Sequence, residues 1–170
     1  MTAAGLTLVL GGARSGKSRF AEESVTALPA PWLYVATAEA LDAEMRARIA
    51  EHRARRGAGW ETAEVPLDLA AFLATVPAGR PVLVDCLTLW LSNLLLAGGD
   101  VEGACDRLVA VLARPRGPWV VVANEVGLGI VPDNALARGF RDAAGRLNQR
   151  VAAAADGVVL MVAGLPLRVK

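Results

Sequence analysis

Histidine occurs once in these 170 residues, cysteine twice, and aromatic side chains supply only 5% of the chain. With so few aromatics, the core has to be built from Ala, Val and Leu. The two cysteines, Cys86 and Cys105, stand in apolar or helical surroundings without metal-ligand spacing. That spacing excludes a zinc knuckle and reads as reduced structural thiols in a cytoplasmic protein. Charge of one sign is also missing. A net charge of +1 gives no electrostatic case for nucleic acid or an anionic membrane as the main partner. No run approaches the ~20 apolar residues of a membrane span, and no basic segment precedes the first apolar stretch. Internal repeats, low-complexity tails and long linkers are absent, so a single domain over 1–170 is expected.

The sequence has apolar runs of strand length alternating with helical patterns. Strands are predicted at Leu6–Leu10, Trp32–Ala36, Val82–Asp85, Trp119–Ala123 and Val158–Val162. Each is rich in Val or Leu with little polar alternation, as in strands buried on both faces of a parallel sheet. Helices are predicted near 16–28, 41–55, 68–75, 88–96, 101–113 and 134–155, with Asp133 or Asn134 capping the last. The fold expected is α/β, a mostly parallel sheet with helices on both faces and ligands at the strands' carboxyl ends.

Gly11-Gly12-Ala13-Arg14-Ser15-Gly16-Lys17-Ser18 follows the first strand and precedes a helix. It is a complete G-x-x-x-x-G-K-[ST] loop in the context that makes the match meaningful. Its backbone N–H groups and the positive end of the helix can wrap the phosphates of a nucleoside triphosphate. Lys17 would reach the β- and γ-phosphates, and the Ser18 hydroxyl would bind Mg²⁺. Val82–Asp85 is an apolar strand ending in a carboxylate, which places Asp85 as a second Mg²⁺ group, held directly or through water. His52 lies three residues beyond Ile49, close to the inward stripe Leu41, Met45, Ile49 of the 41–55 helix, and Arg53-Ala54-Arg55-Arg56 follows it. A lone histidine near a helix end suits a surface position beside the dipole. A neutral imidazole is also a competent nucleophile toward phosphorus, and neighbouring arginines would keep it unprotonated.

Several segments together resemble the bifunctional adenosylcobinamide kinase / adenosylcobinamide-phosphate guanylyltransferase family. They are GGARSGKSRFAE at 11–22, Ala36-Thr37-Ala38, and DAEMRARIAEHRARRGAGWETAE at 42–64. VLVDCLTLWLSNLL at 82–95, NEVGLGIVP at 124–132 and ARGFRDAAGRLNQRVAAAAD at 137–156 follow in the family's order. The resemblance implies a P-loop NTPase (RecA-like) domain with two reactions. A hydroxyl of adenosylcobinamide takes the γ-phosphoryl of ATP or GTP. GTP then passes its GMP portion to His52, and the adenosylcobinamide phosphate made first displaces the histidine. By position, the resemblance assigns nucleotide contacts to the phosphate loop Gly11–Ser18, to Ala36, Thr37 and Ala38, to Arg53, Ala54, Arg55 and Arg56, to Glu64 and to Asp85. Glu64 could read guanine through its N1–H and amino group, or be only an exposed strand-end carboxylate. Asp85 stands where some members carry Glu. The resemblance also implies a homotrimer. The loop Asn124–Pro132 is either corrinoid- or nucleotide-facing or merely structural, and Trp90 is a core or subunit residue rather than a corrin platform. Asn124 is followed by Glu125, Val126 and Gly127, so no N-K-x-D guanine-reading switch motif is present. The rival reading is a P-loop kinase of another small metabolite in which His52 is idle.

Overall fold

The computed structural model describes residues 4–39, 43, 46, 50, 54 and 56–170. Seven strands form one sheet: β1 (Gly5–Gly11), β2 (Trp32–Ala36), β3 (Trp60–Glu64), β4 (Val82–Asp85), β5 (Pro118–Asn124), β6 (Gly157–Val162) and β7 (Leu165–Arg168). Five helices are described: α1 (Lys17–Thr26), α2 (Leu69–Thr75), α3 (Leu87–Leu96), α4 (Val101–Leu112) and α5 (Ala135–Ala154). The strand order is β3-β2-β4-β5-β1-β6-β7. All pairings are parallel except β6 with β7.

Side chains alternate across the sheet with the period of two that a pleated strand imposes. Leu6 and Leu8 of β1, Val82 and Val84 of β4, and Trp119 and Val121 of β5 share one core with Leu69, Leu91, Leu108 and Val151 of α2 to α5. Val9, Leu83, Val120 and Val122 face the other way, against Ala21 and Val25 of α1. Each such aliphatic side chain contributes roughly 1.5–3 kcal/mol on burial. The apolar runs therefore lack polar alternation because both faces are covered, as expected. Trp90 belongs to this core: it is 1% exposed and its indole N–H donates to the Leu67 carbonyl at 2.7 Å.

The five predicted strands are present, each within a residue of its expected bounds. Two strands were not foreseen. β3, Trp-Glu-Thr-Ala-Glu, is largely exposed at a sheet edge, so it lacks the apolar run that marks a buried strand. β7 is four exposed residues including Pro166, which an edge strand tolerates because the N–H that proline lacks is not needed there. Of the predicted helix 41–55, the described positions Ala43, Arg46, Ala50 and Ala54 are helical and exposed. Leu41, Met45, Ile49, His52, Arg53 and Arg55 lie outside the described residues. The cap of the last helix is Asn134, whose side-chain oxygen accepts from Ala137 N–H at 2.7 Å, rather than Asp133. Cys86 and Cys105 are both buried free thiols.

Candidate active site

The carboxyl ends of the strands define one edge of the sheet. Register places Gly11 beside Asn124, Asp85 level with Val122, and Ala36 between Asp85 and Glu64. Along this edge run the phosphate loop, then the end of β5, then Asp85, then Ala36, then Glu64. Of the sequence elements predicted to act together, the phosphate loop, Asp85, Ala36 and Glu64 lie along this edge, and β5 comes between the loop and Asp85.

The phosphate loop closes on itself. Ser15 N–H donates to the Gly12 carbonyl at 3.3 Å and Lys17 Nζ donates to the same oxygen at 3.0 Å. A Cβ at Gly11 would overlap Ser15 Oγ. Gly16 caps α1 with φ +93°, in the left-handed region, and no side-chain oxygen occupies the amides of that helix end. The first turn of α1 also carries no acidic residue. An uncapped N-terminus of this kind presents donors and a positive dipole end to an anion. Ser15 Oγ is buried with no hydrogen-bond partner, an orphaned hydroxyl that a phosphate oxygen would satisfy. The β6–β7 turn braces the loop from outside, with Gly164 N–H donating to the Ser15 carbonyl at 3.0 Å.

Asp85 ends β4 half-buried. Its Oδ2 accepts the Tyr34 hydroxyl at 3.1 Å, and the Arg56 guanidinium lies 3.6 Å over the Tyr34 ring. Burial, reinforced by the neighbouring Asp85 carboxylate, pushes the Tyr34 phenol well above its ordinary range, so it remains a neutral donor. Arg56 is the described arginine of the predicted Arg53–Arg56 contact set. Its Nη1 is buried without a hydrogen-bond partner, and a guanidinium N–H of this kind bonds strongly to an anionic oxygen. Arg56, Trp60, Thr62 and Glu64 line a shallow pocket of about 290 Å³, so two predicted nucleotide contacts share one concavity.

Thr37 sits differently from a side chain that reaches a ligand. It is fully buried; its Oγ1 donates to the Cys86 carbonyl at 2.7 Å and accepts from Cys86 N–H at 2.8 Å. Its backbone N–H donates to the Asp85 carbonyl at 3.2 Å. Asn93 Nδ2 holds the Thr37 carbonyl at 2.8 Å and the Pro66 carbonyl at 3.2 Å. Thr37 therefore locks the β4–α3 turn and with it the position of Asp85. Thr88 and Asn148 do the same for β5, accepting from Asn124 N–H at 2.7 Å and donating to the Asn124 carbonyl at 3.2 Å respectively. Sequence reasoning passed over Asn93, Thr88 and Asn148. The one available signal was a polar residue within an otherwise apolar helical face.

Comparison with known proteins identifies the family. Residues 7–169 match the family described as cobinamide kinase / cobinamide phosphate guanyltransferase. The chain is 50% identical to the bifunctional adenosylcobalamin biosynthesis protein CobP of Pseudomonas aeruginosa, over 96% of each chain. It is 45% identical to CobU of Salmonella typhimurium, covering 97% of this chain and 99% of that one. Among solved structures, the flagellar accessory protein FlaH of Methanocaldococcus jannaschii superposes with a TM-score of 0.53 at 12% identity, over 98% of this chain and 78% of that one. An ATPase from a bacterial type III secretion system gives 0.52 at 13% identity, over 92% of this chain and 50% of that one; both likenesses concern the fold alone. The chain belongs to the cobinamide kinase / cobinamide phosphate guanyltransferase family and is an enzyme with those two activities.

Proposed function

We propose that both activities proceed at this one sheet edge, with Lys17 and His52 as the catalytic residues. The observation that carries the reading is the convergence there of the phosphate loop, Asp85, and Arg56 with its buried, unpartnered Nη1. In the kinase reaction, the loop Gly11–Ser18 cradles the triphosphate of ATP or GTP and Lys17 neutralises charge gathering on the transferred phosphoryl group. In the second reaction, His52 attacks the α-phosphorus of GTP, pyrophosphate leaves, and the adenosylcobinamide phosphate displaces the histidine to give adenosylcobinamide-GDP. Splitting the transfer into two displacements lets one activated nucleotide wait for its acceptor. Arg53, Arg55 and Arg56 neutralise the phosphates, and Glu64 pairs with guanine.

Among the described residues no cluster of three metal-ligating side chains exists. One carboxylate, one hydroxyl and nucleotide phosphates nevertheless suit Mg²⁺, which keeps several waters and takes few protein ligands. Ser18 and Asp85 would hold it, and it would supply charge neutralisation on the phosphate oxygens. The protein acts in the cytoplasm. Among the described residues no helix is long and apolar enough to cross a membrane. A homotrimer would cover the exposed apolar edge formed by Val162, Leu165, Leu167 and Val169.

The test uses GTP labelled at the α-phosphate. Wild-type protein is expected to acquire an acid-labile, base-stable label. His52→Ala should lose the label while still phosphorylating adenosylcobinamide. A variant that labels as wild type does would refute the intermediate.

A further inference from the structure

The three nucleophiles of the proposed pathway differ in one respect. A neutral imidazole attacks through a lone pair and the phosphate monoester is already ionised near neutral pH, its second pKa lying near 6. Only the hydroxyl that attacks in the kinase step carries a proton that has to leave. A general base is therefore useful in that step alone.

Its position follows from topology. The leaving diphosphate lies in the loop at the end of β1. The acceptor then has to approach the γ-phosphorus from the side away from that loop, over the adjoining strand ends. The adjoining strand toward Asp85 is β5, and its first residue beyond the sheet is Glu125. Glu125 N–H donates to the Gly11 carbonyl at 3.0 Å, tying this residue to the point where the phosphate loop begins. The preceding Asn124 is held on both backbone groups by Thr88 and Asn148, and its own side-chain oxygen is buried without a partner. Glu125 Oε1 accepts Gly127 N–H at 2.8 Å. A Cβ at residue 127 would stand 2.9 Å from that oxygen, so a larger residue there would oblige the carboxylate to shift. Other carboxylates at this edge fit worse. Asp85 carries the Tyr34 hydroxyl and the metal role, and Glu64 lies on β3, four strand spacings from β1, roughly 19 Å away.

We propose that Glu125 is the catalytic base of the kinase step, and that the acceptor arm of adenosylcobinamide enters over the β5–α5 loop. This rests on the bifunctional reading above. Glu125 Oε2 takes the hydroxyl proton as the hydroxyl oxygen bonds to the γ-phosphorus. The bond from that phosphorus to the bridging oxygen breaks, the nucleoside diphosphate leaves with the electron pair, and the proton passes from Glu125 to solvent.

The deciding experiment measures Glu125→Gln in three assays: phosphorylation of adenosylcobinamide, labelling by α-labelled GTP, and transfer of GMP to adenosylcobinamide phosphate supplied ready-made. The expected result is a loss of about 100-fold in kcat for phosphorylation, with labelling and transfer within twofold of wild type. Glu125→Asp should recover part of the rate. Full phosphorylation by Glu125→Gln would overturn the proposal. So would equal loss in all three assays, since that is what a purely structural turn residue would cause. If wild type itself phosphorylates no adenosylcobinamide, the underlying functional reading fails instead.

Discussion

Thr37 and Asn93 show how much of this sheet edge is fixed by buried side chains that bond to the chain's own backbone. The Thr37 hydroxyl satisfies both backbone groups of Cys86, and Asn93 satisfies two carbonyls from separate segments. Replacing Asn93 by Ala leaves the buried Thr37 carbonyl without its donor, which costs on the order of 1–3 kcal/mol. We expect Asn93→Ala to lower the melting temperature by about 5 °C, at roughly 2–4 °C per kcal/mol for a chain of this size. Calorimetry checks this, and a raised KM for the magnesium nucleotide should accompany it as the Asp85 turn loosens. The Thr37-Cys86 pairing joins residues 49 apart in sequence, so nothing local to either residue announces it. Lys17 and Asp85, in contrast, were legible as candidates because each belongs to a short contiguous pattern whose chemistry is local.

At the scale of the element, the junction of β1, the loop and α1 is the clearest case of a local sequence dictating local structure. Gly16 has to adopt φ +93°, and its Cβ position lies 3.3 Å from Gly164 Cα. Alanine there would cost about 1–2 kcal/mol for the left-handed backbone and would press on the β6–β7 turn that braces the loop. Gly16→Ala should raise the dissociation constant for nucleotide about tenfold, the equivalent of ~1.4 kcal/mol, as titration calorimetry would register. Unchanged affinity would show that the loop reaches its binding form by another backbone path. The edge strands tell the opposite story. β3 gains its identity from pairing with β2, from Trp32 opposite Trp60 to Ala36 opposite Glu64. Trp60 also meets Trp32 and Tyr34, with ring centroids 5.5 Å and 6.0 Å apart. Those contacts exist only once the sheet has formed.

Across the whole molecule, a largely apolar interior bears on stability at alkaline pH. Burial pushes the Cys86 thiol up to about 11, with the Asp85 charge adding to the effect. A thiol that ionises more readily in the unfolded chain favours unfolding once the pH passes its ordinary value. Its contribution is therefore intact below about pH 9 and is lost as pH rises toward about 11. Urea denaturation at pH 8 and pH 10.5 should show wild type losing about 2 kcal/mol more than Cys86→Ala over that interval, from ~1.4 kcal/mol per pH unit. Equal losses would mean that the thiol is more hydrated than its surroundings suggest.

The sequence by itself determined the elements whose signals are contiguous: the glycine-rich loop after a buried strand, the acid at the end of β4, the both-faces-buried runs of the sheet, and a cap for the last helix at Asp133 or Asn134. These depend on residues within a few positions of one another, where backbone geometry and side-chain burial act directly. Only the tertiary structure decided that β5 lies between the loop strand and the acid strand. That order brings Glu125 against Gly11, pins Asn124 between two helices and sets Arg56 over Tyr34 beside Asp85. Strand order is a property of pairing among distant segments. The competing orders share the same local patterns and differ only in which buried surfaces and hydrogen bonds the assembled sheet completes.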